Sequence, residues 1–75
     1  MPEGHDLYNR LKAEAPRNVQ HIEDAGFAWN HDFGWFEKHY KDGLIWTIDL
    51  HEARQPFGRV RELIEIGGTL RYKRA

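Results

Sequence analysis

The sequence predicts an α+β fold with the element order α-α-β-β-β-α-β: a short N-terminal helix pair, a three-stranded antiparallel meander, one helix and a final strand. Three observations predict it. The hydrophobic spacing changes from helical to alternating at Phe27, and seven aromatic residues crowd positions 27 to 46. Lys41-Asp42-Gly43 sits between two alternating runs as a three-residue hairpin loop. A helical pattern then returns after Pro56 and gives way to alternation after Gly67-Gly68.

Taken in order, Leu7, Tyr8, Leu11 and Ala15 fall on one helical face, with Asp6 near the positive N-terminal end. Pro16 has no amide proton and disfavours helical geometry at Ala15, so this helix should stop by about residue 14. A second helix over about 17 to 25 carries Val19 and Ile22 inward. Gly26 ends it in a Schellman motif, with Phe27 following and Ile22 as the hydrophobic partner.

A first strand is expected over about 27 to 31, turning through Asp32, Phe33 and Gly34. The three-residue loop with Gly43 left-handed sets Tyr40 opposite Leu44, Lys38 opposite Trp46 and Phe36 opposite Ile48. One face then collects Phe36, Tyr40, Leu44, Trp46, Ile48 and Leu50; the other carries Trp35, Glu37, His39, Ile45, Thr47 and Asp49. A two-residue loop would slip the register and oppose Phe36 to Asp49, a worse match. Asp49 and Glu52 have capping-box spacing, but Pro56 intrudes, so 51 to 55 reads as a loop and the main helix as about 56 to 66. Phe57, Val60, Leu63 and Ile64 form its apolar face. Residues 69 to 74 alternate as a half-buried final strand. The expected core is Leu11, Ile22, Phe36, Trp46, Ile48, Val60, Leu63 and Leu70.

With 75 residues, 40% hydrophobic and 13% aromatic, the chain is expected to form a single compact domain over 1-75 rather than a disordered segment. No cysteine is present, which excludes disulfides, thiolate zinc sites and thiol catalysis and fits a reducing, cytoplasmic setting. No signal peptide or long apolar run points to a membrane. Serine is also absent, and Gly67-Gly68 follows a helix instead of preceding one, so neither a serine nucleophile nor a phosphate cradle is written here. The protein is therefore read as a non-enzyme without cofactor. Its five histidines show no zinc-binding spacing; a composite of Glu37, His39 and Asp49 is the one arrangement that could approach a metal, and no metal site is assigned.

Charge is uneven along the chain. Residues 1–37 hold seven acids against three bases, a net −4, and residues 38–75 hold eight bases against five acids, a net +3. The pI near 6.5 does not announce a nucleic-acid binder. Two such readings remain. In one, the first two helices form a helix-turn-helix presenting Arg17, Asn18, Gln20 and His21, against the repulsion of four nearby acids. In the other, Arg59, Arg61, Arg71, Lys73 and Arg74 present a basic surface, although bases on an edge strand also serve to block unwanted pairing.

The leading expectation comes from surplus aromatic area. Helices this short cover one sheet face, yet Trp35 and Ile45 fall on the opposite one, with Glu37 and His39. Either the N-terminal helices bury Trp35, or Trp35, Glu37, His39 and Ile45 bind a partner: another protein, or a second copy as a homodimer. The expected function is a small protein-binding module, an inhibitor, adaptor or subunit of the kind phages and mobile elements encode. A nucleic-acid-binding module using the basic C-terminal half is the alternative.

Overall fold

A computed structural model describes the backbone of residues 3–73 and the side chains of residues 6–71. The elements run α1 (Glu3–Glu14), α2 (Pro16–Asp24), β1 (Ala28–Asn30), β2 (Trp35–His39), β3 (Leu44–Asp49), α3 (Leu50–Ala53), α4 (Phe57–Glu65) and β4 (Thr69–Lys73). The α+β class and the order of the expected elements are those of the sequence reading, with α3 added. The strands form one antiparallel sheet in the order β1-β2-β3-β4, so the final strand extends the meander to four.

Pro16 divides the first two helices as its chemistry requires, since it occupies the first turn of α2, where no amide proton is needed. α1 starts earlier than Asp6, at Glu3. At the far end of α2, Gly26 N donates to Glu23 O at 3.0 Å and Phe27 N donates to Ile22 O at 3.4 Å, the paired bonds of the expected Schellman motif. The hairpin also forms in the expected register, with Phe36 opposite Ile48 and Lys38 opposite Trp46. Gly43 has φ +77°, and Tyr40 N donates to Leu44 O across the loop at 2.9 Å.

Lys38 lies on the helix-covered face of the sheet, where an apolar residue would be expected. Its Nζ donates to Ala25 O at the C-terminal end of α2, 2.8 Å away, and lies within 6 Å of the Phe27 and Tyr40 rings. A cation at a helix C-terminus meets both the dipole and an unsatisfied carbonyl.

Two expectations are corrected. Residues 51 to 55 are not simply a loop: the Asp49–Glu52 capping box closes, with Asp49 Oδ1 accepting from Glu52 N at 2.7 Å and Glu52 Oε1 accepting from Asp49 N at 2.9 Å. One helical turn, α3, fits before Pro56 because it ends at Ala53, short of Gln55, the position whose backbone the proline ring restricts. Leu70, expected in the core, is 49% exposed. It lies opposite Trp46 on β4, the edge strand, and among the described residues no further strand pairs beyond it.

The core joins Leu11 of α1, Val19 and Ile22 of α2, Phe27, Phe36 of β2, Ile48 of β3, Ala53 of α3 and Val60 of α4. Trp46 and Leu63 pack against it only half-buried. Every helix contributes to this one cluster, so all four lie on the Phe36–Ile48 side of the sheet. The molecule measures 35 × 32 × 18 Å, the thickness of one helix layer on one sheet. Among the described residues, no helix lies on the second sheet face.

Candidate functional site

That helix-free face is built by the alternate residues of the same strands. Antiparallel pairing sets Trp35 against Asn30 and Asp49, Glu37 against Thr47, and His39 against Ile45. On β4 the pairing shifts by one between Trp46–Leu70 and Ile45–Tyr72, leaving Arg71 as the extra residue of a β-bulge. Alternation from Leu70, which faces Trp46 on the helix side, puts Arg71 on this face. Its Nε donates to Thr47 Oγ1 at 3.1 Å, its Nη2 lies 3.7 Å from Asp49 Oδ2, and its guanidinium carbon is 5.1 Å from the Trp35 ring centre. A guanidinium at that distance from an indole is attracted by the ring quadrupole.

Glu37 is the hub of the face. Its Oε1 accepts from Trp35 Nε1 and from Asn30 Nδ2, each at 2.9 Å, and its Oε2 accepts from His39 Nε2 at 2.5 Å. The side chain is 14% exposed. Burial alone would push its pKa up, but the hydrogen bonds from His39, Trp35 and Asn30, together with the positive charge available to His39, outweigh it and hold the carboxyl below the ordinary glutamate value. A carboxylate with three donors fixes the indole in one orientation.

Beside this network, Phe33 stacks on Trp35 with ring centres 5.0 Å apart and planes 17° apart. Phe33 is 61% exposed. It comes from the β1–β2 turn, where Asn30 Oδ1 accepts from the backbone N–H groups of Asp32 and Phe33 at 2.9 and 3.2 Å and so shapes the loop that presents the ring.

The structure brings Trp35, Glu37 and His39 into direct contact, and it does not bury Trp35 under α1 and α2, which pack on the opposite face through Tyr8, Leu11 and Ile22. Ile45 shares their face, paired in the backbone register with His39 on β2 and residue 72 on β4, but is 1% exposed and so offers no contact area itself. Asp49 turns to Arg71 rather than to Glu37 and His39, and the composite metal arrangement does not assemble. Among the described residues no group of three histidine or carboxylate side chains could hold a metal ion.

The basic residues are divided. Arg59 and Arg61 lie exposed on α4 in the helix layer, Arg61 4.0 Å from Glu65, whereas Arg71 is engaged on the other side of the sheet. The side chains of Lys73 and Arg74 lie outside the described residues. The helix-turn-helix reading also fails on geometry. Asn18 is buried and its amide donates to Ala53 O and Gln55 O at 2.9 and 2.8 Å, while Arg17 and His21 pack on Phe57 of α4. The face meant for a DNA groove is the face that joins α2 to α3 and α4.

A scan against protein-family models, a search of curated proteins and a search of solved structures each returned no match to this chain. Function is therefore read from the site itself. Phe33 and Arg71 are the members that sequence reasoning did not assign to it. An aromatic residue inside a polar turn was the available signal for Phe33. For Arg71 the signal was its alternation with Leu70, an expected core position, which puts it on the opposite face of the sheet. Among the described residues, no helix is long and apolar enough to cross a membrane.

Proposed function

We propose that this protein is a non-catalytic binding module that docks another protein on the helix-free face of its sheet, with Phe33 and Trp35 as anchors and Arg71, His39 and Glu37 around them. The observation that carries the reading is the exposed Phe33 ring stacked on an indole that is itself held by Glu37 and Arg71. Aromatic residues and arginine dominate the energetic centres of protein interfaces, and a ring held in place loses little freedom on binding. A binding rather than a catalytic role is supported by the openness of the face. His39, the candidate proton carrier, has a side chain 48% exposed, and the Glu37 carboxylate is committed to three donors of its own network. Nothing encloses a substrate away from water there. Occlusion or bridging of the partner's surface is the activity such a module would exert.

The test compares wild type with Phe33→Ala and Trp35→Ala as baits in quantitative pull-downs from the source cells, followed by titration of the captured protein. The reading expects both variants to stay folded and to weaken the complex by more than about 1 kcal/mol, with little dependence on salt. Three outcomes would sink it: a Trp35→Ala chain that unfolds, a complex indifferent to both rings, or binding of single-stranded nucleic acid that fades steeply with salt. A concentration-dependent dimer abolished by Phe33→Ala would replace the foreign partner with a second copy.

A further inference from the structure

On the helix side of the sheet, away from Trp35, a cleft of about 280 Å³ opens between α1, α2 and β1, lined by Tyr8, Asn9, Glu23, Trp29 and His31. It is smaller than the roughly 300–1,000 Å³ cavities that take drug-sized ligands, and suits one side chain. Two of its walls are aromatic: the Tyr8 and Trp29 ring centres are 5.7 Å apart with planes inclined at 43°. The third is a carboxylate. Tyr8 donates its hydroxyl to Glu23 Oε2 at 2.7 Å, which orients the carboxylate, and Glu23 Oε1 accepts no hydrogen bond among the described residues. The same bond, aided by burial and by the carboxylate's charge, pushes the Tyr8 pKa up to about 12, so the phenol remains a neutral donor.

A fixed carboxylate and two π faces are a set that attracts cations and repels anions. The chain itself shows the preference, since Lys12 holds its Nζ 5.9 Å over the Tyr8 ring. The cleft also lies wholly within residues 1–37, the part of the chain with seven acids against three bases. The geometry points to a binding site for the cationic head of a lysine or arginine side chain from a partner protein, with Glu23 as its counter-ion and Tyr8 and Trp29 as its aromatic walls. This site is separate from the Trp35 face and does not depend on it.

The test titrates the isotopically labelled full chain with N-acetyl-lysinamide, N-acetyl-argininamide and, as a neutral counterpart, N-acetyl-norleucinamide. It is read by the chemical shifts of the Trp29 indole N–H, the Asn9 side-chain amide and the backbone at Tyr8 and Glu23. Saturable shifts confined to this group are expected with the two cations and not with norleucinamide. Glu23→Gln keeps an acceptor for the Tyr8 hydroxyl and should weaken the cations by about tenfold or more, the scale of losing a charge-assisted bond. Lys12→Met removes the internal competitor and should tighten both. Equal shifts with norleucinamide, unchanged affinity in a Glu23→Gln chain whose spectrum remains native, or weaker binding in Lys12→Met would overturn the site. Tighter binding of n-butylammonium than of the blocked lysine would overturn the assignment to a protein side chain.

Discussion

Residues one position apart on β2 and β3 reach burial by different physics. Phe36 and Ile48 are fully buried on the helix side, where eight apolar side chains meet, from every helix, from β2 and β3 and from Phe27 between α2 and β1. Thr47 is as deeply buried on the other side, yet among the described residues no helix lies over it. Arg71 lies across Thr47 by a hydrogen bond and extends to Asp49 and Trp35, while Glu37 ties Trp35, Asn30 and His39 together. The first face is held by non-directional area and tolerates no void; the second is a single layer of directional contacts that can be opened at modest cost. A surface of that kind can be firm enough to present rings without carrying the stability of the fold.

The largest effect should come from the apolar face. Phe36→Ala is expected to cost about 3–5 kcal/mol, a large share of the roughly 5–15 kcal/mol that holds a small protein together. Urea denaturation would show it as loss of the folded baseline or a sharply lower midpoint, and an unchanged midpoint would abolish the distinction between the faces.

Gly68 joins the two layers where β4 begins. Its φ is +93°, and a Cβ there would lie 2.9 Å from Thr47 O and 3.3 Å from the Phe27 ring. Left-handed geometry alone costs a side chain about 1–2 kcal/mol, and the backbone oxygen leaves no room to relax, so Gly68→Ala should lose about 2 kcal/mol or more. A midpoint equal to wild type would mean that β4 can shift on β3 without harm to either face.

On the polar face, Glu37→Gln should cost about 1–2 kcal/mol at neutral pH. It should also change the acid limb. The folded carboxyl titrates below its unfolded value, so its contribution is full above the unfolded value and is lost as pH falls through the lowered one. Wild type should therefore converge on Glu37→Gln in urea midpoints as pH is lowered toward 3, and parallel profiles would show that the network does not hold the charge.

The smallest effect is expected at Tyr8→Phe, about 1 kcal/mol at neutral pH for one half-buried hydrogen bond. Here the sign reverses. The folded phenol titrates near 12 rather than 10, so its contribution is full below pH 10 and disappears as pH rises through 12. Midpoints of wild type and variant should converge above pH 10; a constant gap would place the cause in packing rather than in the bond to Glu23.

The element order, the helix break at Pro16, the Schellman end at Gly26 and the hairpin register were legible because each depends on neighbours in the chain: a missing amide proton, a left-handed glycine, a loop length that sets pairing parity. The same alternation separated Trp35, Glu37 and His39 from Phe36 and Ile48. Three things depended on contacts between distant segments or on bonds that spacing alone does not guarantee. The capping box at Asp49 and Glu52 outweighed the proximity of Pro56, because two backbone N–H groups were satisfied before the proline was reached. Leu70 alternates like a core residue, yet exposure at a sheet edge is decided by which strand lies outermost. Arg71 reads from alternation as an outward cation on an edge strand, and only the pairing of β4 with β3 brings it across Thr47 to Asp49 and Trp35. Periodicity assigns a residue to a side of its own strand; what then covers that side is settled by the partner strand's register, which no local pattern encodes.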